Sequence, residues 1–200
     1  MSSKADLANL ALTQVGITKF IGNLETDRTL EARVCRRWFE PSKQTLLRSR
    51  DWNVARRRTA LAETGGTAPT NWEFEYTYPN SCLAIRGLIL PGLSWPRKDQ
   101  KIPFEIANSG TAKVIYTDLE NAEAVWTSDI GTELFDALME DAFVYLLASR
   151  IAIPLSVKPD MAKQARDAYA FMFSVSGAAD AREGETGPEP ENAYFAARNG

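Results

Sequence analysis

Residues 30–50 alternate between apolar and polar positions with the period of an α-helix. The apolar half of the helical wheel comprises Leu30, Val34, Cys35, Trp38, Phe39 and Leu46. The polar half comprises Arg33, Arg36, Arg37, Glu40, Lys43 and Gln44. The pattern predicts a long amphipathic helix with Thr26 or Asp27 as its N-cap. Because Pro41 has no backbone donor, we also predict a kink or a break near Glu40.

Three further helices are predicted. Ser3 and Asp6 have the spacing of a capping box, and Gly16 is placed to end the helix that follows. A second helical signal runs from Ser128 or Asp129 to Arg150, and the last helix begins at Pro159. Its apolar line is predicted to consist of Met161, Ala165, Ala168, Met172 and Val175.

The middle of the chain has the pattern of β-strands, in residues 53–61, 72–78, 82–90, 102–106 and 112–116. Strict alternation places four aromatic residues on one face of the second strand: Trp72, Phe74, Tyr76 and Tyr78. We expect that face to be buried in a sheet, although an aromatic platform for a ligand would show the same pattern. The last two strands predict a hairpin around residues 108–110.

These elements predict an α+β fold with a helical bundle built from both chain ends, residues 1–51 and 121–179. A small antiparallel β lobe, residues 52–120, is inserted between the two halves of the bundle. Residues 180–200 are rich in Glu, Gly and Pro and are expected to form an extended C-terminal tail. No apolar run is long enough to span a bilayer, and no signal peptide is recognised, so we expect a cytoplasmic protein without membrane contact.

Charge is distributed unevenly. The net charge is −3, but residues 28–58 hold ten Arg or Lys against three acids, a local +7 that leaves −10 for the rest. Such a chain suits either nucleic acid on one side or contacts between copies. The candidate interface arginines are Arg33, Arg36, Arg37, Arg56, Arg57 and Arg58. They could meet phosphates beside Trp38 and Trp52, or form a solvated face that pairs with acids. No recognised nucleic-acid-binding motif accompanies them, which disfavours sequence-specific DNA recognition.

Few residues are suited to catalysis. The chain has no histidine and two cysteines, Cys35 and Cys82, which excludes histidine-based triads and gives no metal-ligand spacing. Both cysteines are expected to be small buried residues. Glu133, Asp136 and Glu140 share one face of the predicted third helix, as sugar hydrolysis would require. The wet side of any core helix has the same spacing, so we assign no catalytic, cofactor or metal residues.

Two segments are candidate protein contacts. The turn-rich residues 91–96 would expose Leu93 and Trp95, which a partner would have to cover. Tyr194 and Phe195 would anchor the tail to a partner in the same way.

Several of these segments resemble one family, the head-to-tail connector adaptors of short-tailed bacteriophages, also called tail tubular protein A. The similar stretches are residues 11–16, 21–24, 30–35, 46–55, 58–62, 72–76 with Pro79, 82–83, 179–184 and 197–198. Their order and spacing carry the resemblance, and residues 87–128 are the least similar.

The resemblance implies a structural virion protein and not an enzyme. Members form a ring of twelve copies between the portal protein and the tail nozzle protein, and genomic DNA passes through the channel without sequence recognition. The protein would then be found in the virion connector and, during assembly, in the host cytoplasm. Some relatives have been credited with degrading peptidoglycan, so a tail-associated carboxylate hydrolase is the alternative.

Overall fold

The structure is a computed structural model that describes residues 2–90, 101–155 and 158–183. The helices in these residues are α1 (Lys4–Gln14), α2 (Leu30–Arg48), α3 (Ala137–Ile151) and α4 (Pro159–Glu183). The strands are β1 (Arg56–Ala60), β2 (Phe74–Thr77), β3 (Cys82–Ile89), β4 (Glu105–Ser109), β5 (Ala112–Thr117) and β6 (Glu123–Ser128). The fold is therefore α+β, with helices from both chain ends flanking the strands, as predicted.

Helix α1 has the predicted ends. The Ser3 hydroxyl accepts a hydrogen bond from the backbone of Asp6, whose carboxylate accepts one from the backbone of Ser3. At the other end, Gly16 has a φ of +78°, and its N–H donates to the Thr13 carbonyl while that of Ile17 donates to the Leu12 carbonyl. These two bonds form a Schellman motif, which requires the left-handed conformation that glycine adopts without strain.

Helix α2 starts later than predicted and does not break. Its N-cap is Thr29, whose hydroxyl accepts from Ala32 N, while the Asp27 carboxylate accepts from Thr29 N and forms the preceding turn. The helix continues through Pro41, which lies on the exposed side. Water can therefore satisfy the Arg37 carbonyl that loses its i+4 donor, which explains why a proline is tolerated there.

The strands form two three-stranded antiparallel sheets. Sheet A has the order β1-β6-β3, and sheet B has the order β2-β5-β4. The central strand of sheet A, β6, was not predicted, and it lies beyond residue 120, within the range assigned to the bundle. Apolar and polar residues do not alternate strictly here, because buried residues lie on both faces, Ala124 and Trp126 on one and Thr127 on the other.

Helix α3 is also shorter than predicted. Residue 128 belongs to β6, residues 132–134 form a 3-10 turn, and the helix begins only after Asp136. The Asp136 carboxylate caps it by accepting from Met139 N at 2.8 Å. The predicted helical signal therefore joined three separate elements, the end of β6, the 3-10 turn and α3.

Two apolar cores hold the fold together. The helical core lies between the four helices and includes Leu7, Phe39, Leu47, Trp52 and Phe143. The smaller sheet core lies between sheets A and B and consists of Tyr76, Leu88, Ile115, Ala122, Ala124 and Trp126. Of the predicted aromatic face only Tyr76 is fully buried, since Trp72, Phe74 and Tyr78 remain partly accessible.

The C-terminal end of α4 is fixed to the corner between α2 and β1. The Asp180 carboxylate accepts from Asn53 N at 2.9 Å, and the Asp180 carbonyl accepts from Asn53 Nδ2 at 2.6 Å. Nearby, Gly177 leaves space for the Arg50 guanidinium, which lies 4.8 Å from the centre of the Phe173 ring. Residues 180–183 are thus helical and not part of an extended tail, and residues 184–200 lie outside the described part.

Candidate interaction surfaces

One exposed face of α2 carries three arginines. Arg33, Arg37 and Arg48 lie opposite the buried side of the helix, together with Pro41 and Gln44. We call Arg33, Arg37 and Arg48 the α2 basic face. At 1.5 Å per residue it extends over about 22 Å. Within the described residues, none of the three makes an ion pair or a hydrogen bond through its side chain.

Arg36 does not belong to this face. Its guanidinium is half-buried and donates to two carbonyls of the preceding connector, those of Leu24 at 2.8 Å and Asp27 at 2.7 Å. Arg36 therefore holds residues 24–27 against α2, and the structure gives it an intramolecular role in place of the predicted interface role.

The remaining candidate arginines lie on β1, an edge strand of sheet A. Arg57 and Arg58 are exposed, Arg56 is half-buried, and Arg58 Nε is 2.5 Å from the Glu123 carboxylate across the strand pair. Arg56 and Arg58 each take part in an interaction besides this ion pair, so neither side chain is free. The six predicted arginines are thus distributed over two elements and do not form one cluster.

The structure shows a buried arginine that the sequence did not single out. Arg86 lies at a β-bulge in β3, and its guanidinium donates to Thr127 Oγ1 at 2.9 Å and to the Trp52 carbonyl at 2.8 Å. Asp51 is 3.2 Å away. Burial lowers the pKa of Arg86, and the attraction of Asp51 opposes this shift. A single arginine in the apolar run of residues 82–90 was the available signal, because such a charge requires partners.

Acidic side chains gather on sheet B. The acidic end of sheet B comprises five exposed acids, Glu63, Glu73, Glu105, Asp118 and Glu120, and one buried acid, Glu75. Glu75 and Glu105 both lie beside Tyr116 in the strand register. The Asp118 carboxylate accepts from Glu73 N at 3.1 Å. No ion pair with Lys or Arg involves these six acids within the described residues.

The predicted row of carboxylates on α3 is not present. Glu133 lies in the 3-10 turn, Asp136 is the N-cap, and only Glu140 lies on the helix itself, where its carboxylate accepts from the Ser2 hydroxyl at 2.9 Å. The spacing thus reflects a helix start. This geometry does not favour the acid and base pair that the alternative hydrolase function would require.

An open cleft of ≈ 320 Å³ separates the end of β1 from the β2–β3 turn. Its lining consists of Thr59, Ala60, Leu61, Ala62, Thr77, Tyr78, Pro79, Asn80 and Trp126. No carboxylate or basic side chain belongs to this lining, which gives the cleft no acid and base pair for catalysis. In the described part of the chain, no cluster of three or more His, Cys, Asp or Glu could bind a metal ion.

The aromatic candidates have mixed outcomes. Trp52 is 1% exposed and donates its indole N–H to the Leu46 carbonyl at 2.8 Å, so it is a core residue and not a stacking platform. Trp38 is half-buried, beneath the guanidinium of Arg150. Leu93, Trp95, Tyr194 and Phe195 lie outside the described residues.

Among the described helices, none is both long and apolar enough to span a bilayer.

Both cysteines are free, and they differ in accessibility. Cys35 is fully buried, as predicted, and burial raises its pKa to about 12, whereas Cys82 is only half-buried. Because the thiolate is the reactive form, we expect iodoacetamide at pH 8 to leave Cys35 unmodified in the folded chain and to modify it after unfolding in urea. Mass spectrometry of the labelled peptides measures this. Rapid labelling of both thiols without denaturant would contradict it.

No protein-family model matches the chain, and no curated protein sequence matches it significantly.

Proposed function

We propose that this chain is a structural virion protein, the head-to-tail adaptor of a short-tailed bacteriophage. Copies of it form a ring between the portal protein and the tail nozzle protein, and genomic DNA passes through the central channel. The observation that carries the proposal is the pair of oppositely charged surfaces on one subunit, the α2 basic face and the acidic end of sheet B. A head-to-tail ring requires two unlike complementary patches of this kind on every copy.

The resemblance on which the proposal also rests includes part of the helical core. The similar residues 11–16, 30–35 and 46–55 contribute the core residues Ala11, Leu12, Val15, Ala32, Cys35, Leu46, Leu47, Trp52 and Ala55. Such positions determine how α1, α2 and the corner before β1 pack together. They support a shared fold, which is also the α+β fold that the resemblance implies.

In this role the chain supplies shape and charge and performs no reaction. The channel must let DNA pass in both packaging and ejection, which requires weak contacts that do not depend on base sequence. The partners are copies of the chain, a portal protein and a tail nozzle protein.

Electron microscopy tests the proposal directly. We expect the purified chain, mixed with the portal protein encoded by the same phage, to form closed rings stacked coaxially on the portal. The chain without portal serves as the control for spontaneous assembly. A chain that remains monomeric at every concentration, alone and with portal, would refute the proposed function.

The tail offers a second test. The contacts of Asp180 with Asn53 show that a deletion must spare α4, so the informative variant lacks residues 184–200. We expect this variant to melt within a few degrees of the full chain, because it keeps the described fold, and to lose attachment to the portal by at least tenfold. Co-sedimentation with portal measures attachment, and normal binding by the truncated chain would show that the tail is not the portal contact.

A further inference from the structure

We propose that the α2 basic face of one copy docks against the acidic end of sheet B of the next copy. The proposal rests on the proposed function, since it names the two faces through which the ring closes. Its first support is the state of the arginines. Arg33, Arg37 and Arg48 project from one side of a rigid helix, and no acid of the described chain pairs with them.

The second support comes from the acids, which are held close together by the strand pairing. Burial raises the pKa of the Tyr76 hydroxyl, and the negative charges of Glu63 and Glu120 raise it further. The Glu73 N–H donates to the Asp118 carboxylate at 3.1 Å, which places the two residues side by side. Like charges gathered at one end of a sheet repel one another in the isolated subunit, and a basic partner would relieve this repulsion.

A second copy fits both surfaces better than a nucleic acid does. A duplex would bind the α2 basic face but would be repelled by the acidic end, which would remain without a partner. Another copy presents each surface with its opposite, and the same contact then repeats around the ring. Leu30, 53% exposed at the start of α2, adds an apolar contact beside the charges.

Charge reversal of each face separately tests the docking. The basic-face variant is Arg33→Glu with Arg37→Glu. The acidic-end variant is Glu73→Lys with Glu120→Lys, two acids whose side chains make no hydrogen bond within the described residues. Assembly is measured by sedimentation and by counting rings in electron micrographs, with and without portal. We expect each variant alone to assemble at least tenfold more weakly than the natural chain.

An equimolar mixture of the two variants is the decisive sample. Around a ring of alternating variants every contact again joins opposite charges, so we expect the mixture to recover assembly to within a few-fold of the natural chain. Matched controls reverse exposed charges on α4, Lys163→Glu with Arg166→Glu and Asp160→Lys with Asp167→Lys, and should assemble normally. The neutral pair Arg33→Gln with Arg37→Gln should weaken assembly less than the reversal, and melting curves confirm that each variant folds.

Other outcomes would overturn the docking. If both reversed variants form rings as the natural chain does, the faces are wrong although the adaptor function still stands. A different result would show that the α2 basic face binds nucleic acid. In that case only the basic-face variant is defective, mixing the variants does not restore assembly, and the basic-face variant loses salt-sensitive binding to duplex DNA. If the natural chain forms no ring with or without portal, the proposed function fails, and this docking fails with it.

Discussion

Replacement of Trp52 by alanine is expected to destabilise the chain by about 3–5 kcal/mol, the range for removal of a large aromatic side chain from a core. Trp52 is almost fully buried, and its indole N–H donates to the Leu46 carbonyl in the last turn of α2. Its ring also meets Phe173 of α4 edge-on, with 5.9 Å between the ring centres. The substitution would therefore leave a cavity between two helices and remove one hydrogen bond to the Leu46 carbonyl, which keeps those from Ser49.

Urea unfolding followed by far-UV circular dichroism measures this loss. Trp52→Phe keeps most of the packing and loses the hydrogen bond, so it should cost only about 1–2 kcal/mol. Trp38→Ala, at a half-buried position, should also cost less than Trp52→Ala. Point mutations usually change the free energy of unfolding by ~1 kcal/mol. If Trp52→Ala lowers it by no more than this, Trp52 does not belong to the core.

Substitution of Lys43 by methionine is expected to have the second largest effect. The Lys43 ammonium is nearly buried between two carboxylates, those of Glu40 at 2.8 Å and Asp129 at 2.9 Å. Its removal leaves Asp129 without an ion pair in the described residues and leaves Glu40 paired with the exposed Lys4. Because Glu40 is half-exposed and solvent screens its charge, we expect a loss of about 2–3 kcal/mol, below the range for a fully buried pair.

The pH dependence of this loss follows from the two shifted groups. Burial opposes the charge on Lys43, but its hydrogen bonds and its attraction to Glu40 and Asp129 raise its pKa above 10.5. Its contribution is present below that value and is lost as pH rises through the raised pKa. Burial would raise the pKa of Glu40, but Lys43 and Lys4 lower it below 4.5, so this contribution is lost as pH falls through the lowered pKa.

We therefore expect the difference in unfolding free energy between the natural chain and Lys43→Met to be constant from about pH 5 to pH 10 and to shrink outside that window. The double variant Lys43→Met with Asp129→Asn should regain most of the loss, since the second substitution removes one uncompensated carboxylate. Lys163→Met, at an exposed position of α4, is the control. A difference that is unchanged at pH 11 would rule out the ion pairs as its cause.

Local signals were enough to predict much of the fold. The capping box at Ser3, the left-handed stop at Gly16 and the start at Pro159 all act within one turn of helix, so the sequence carries them directly. Strand β6 was missed for the opposite reason. It pairs along its two edges with β1 and β3, which are distant in sequence, and buried residues on both of its faces, such as Trp126 and Thr127, remove the alternation that marks a strand.

The candidate surfaces divide in the same way. The exposure of Arg33 and Arg37 follows from helical periodicity, and so it could be predicted. Lys43 was expected on the polar half but is nearly buried beside Asp129, which directly follows β6 and approaches α2 only in the folded chain. The roles of Arg86 and Asp180 likewise depend on contacts between distant elements, which periodicity does not describe.

The unequal size of the two cores has a consequence for which part of the subunit opens first. The sheet core is much the smaller, so local opening of sheet B should require less free energy than opening of the helices, and its amide protons should exchange with solvent sooner. Under the proposed docking, helix α2 of each copy would contact the less stable sheet B of the next copy. Sheet B could then adjust to small differences in spacing between adjacent subunits, while the helices keep their arrangement.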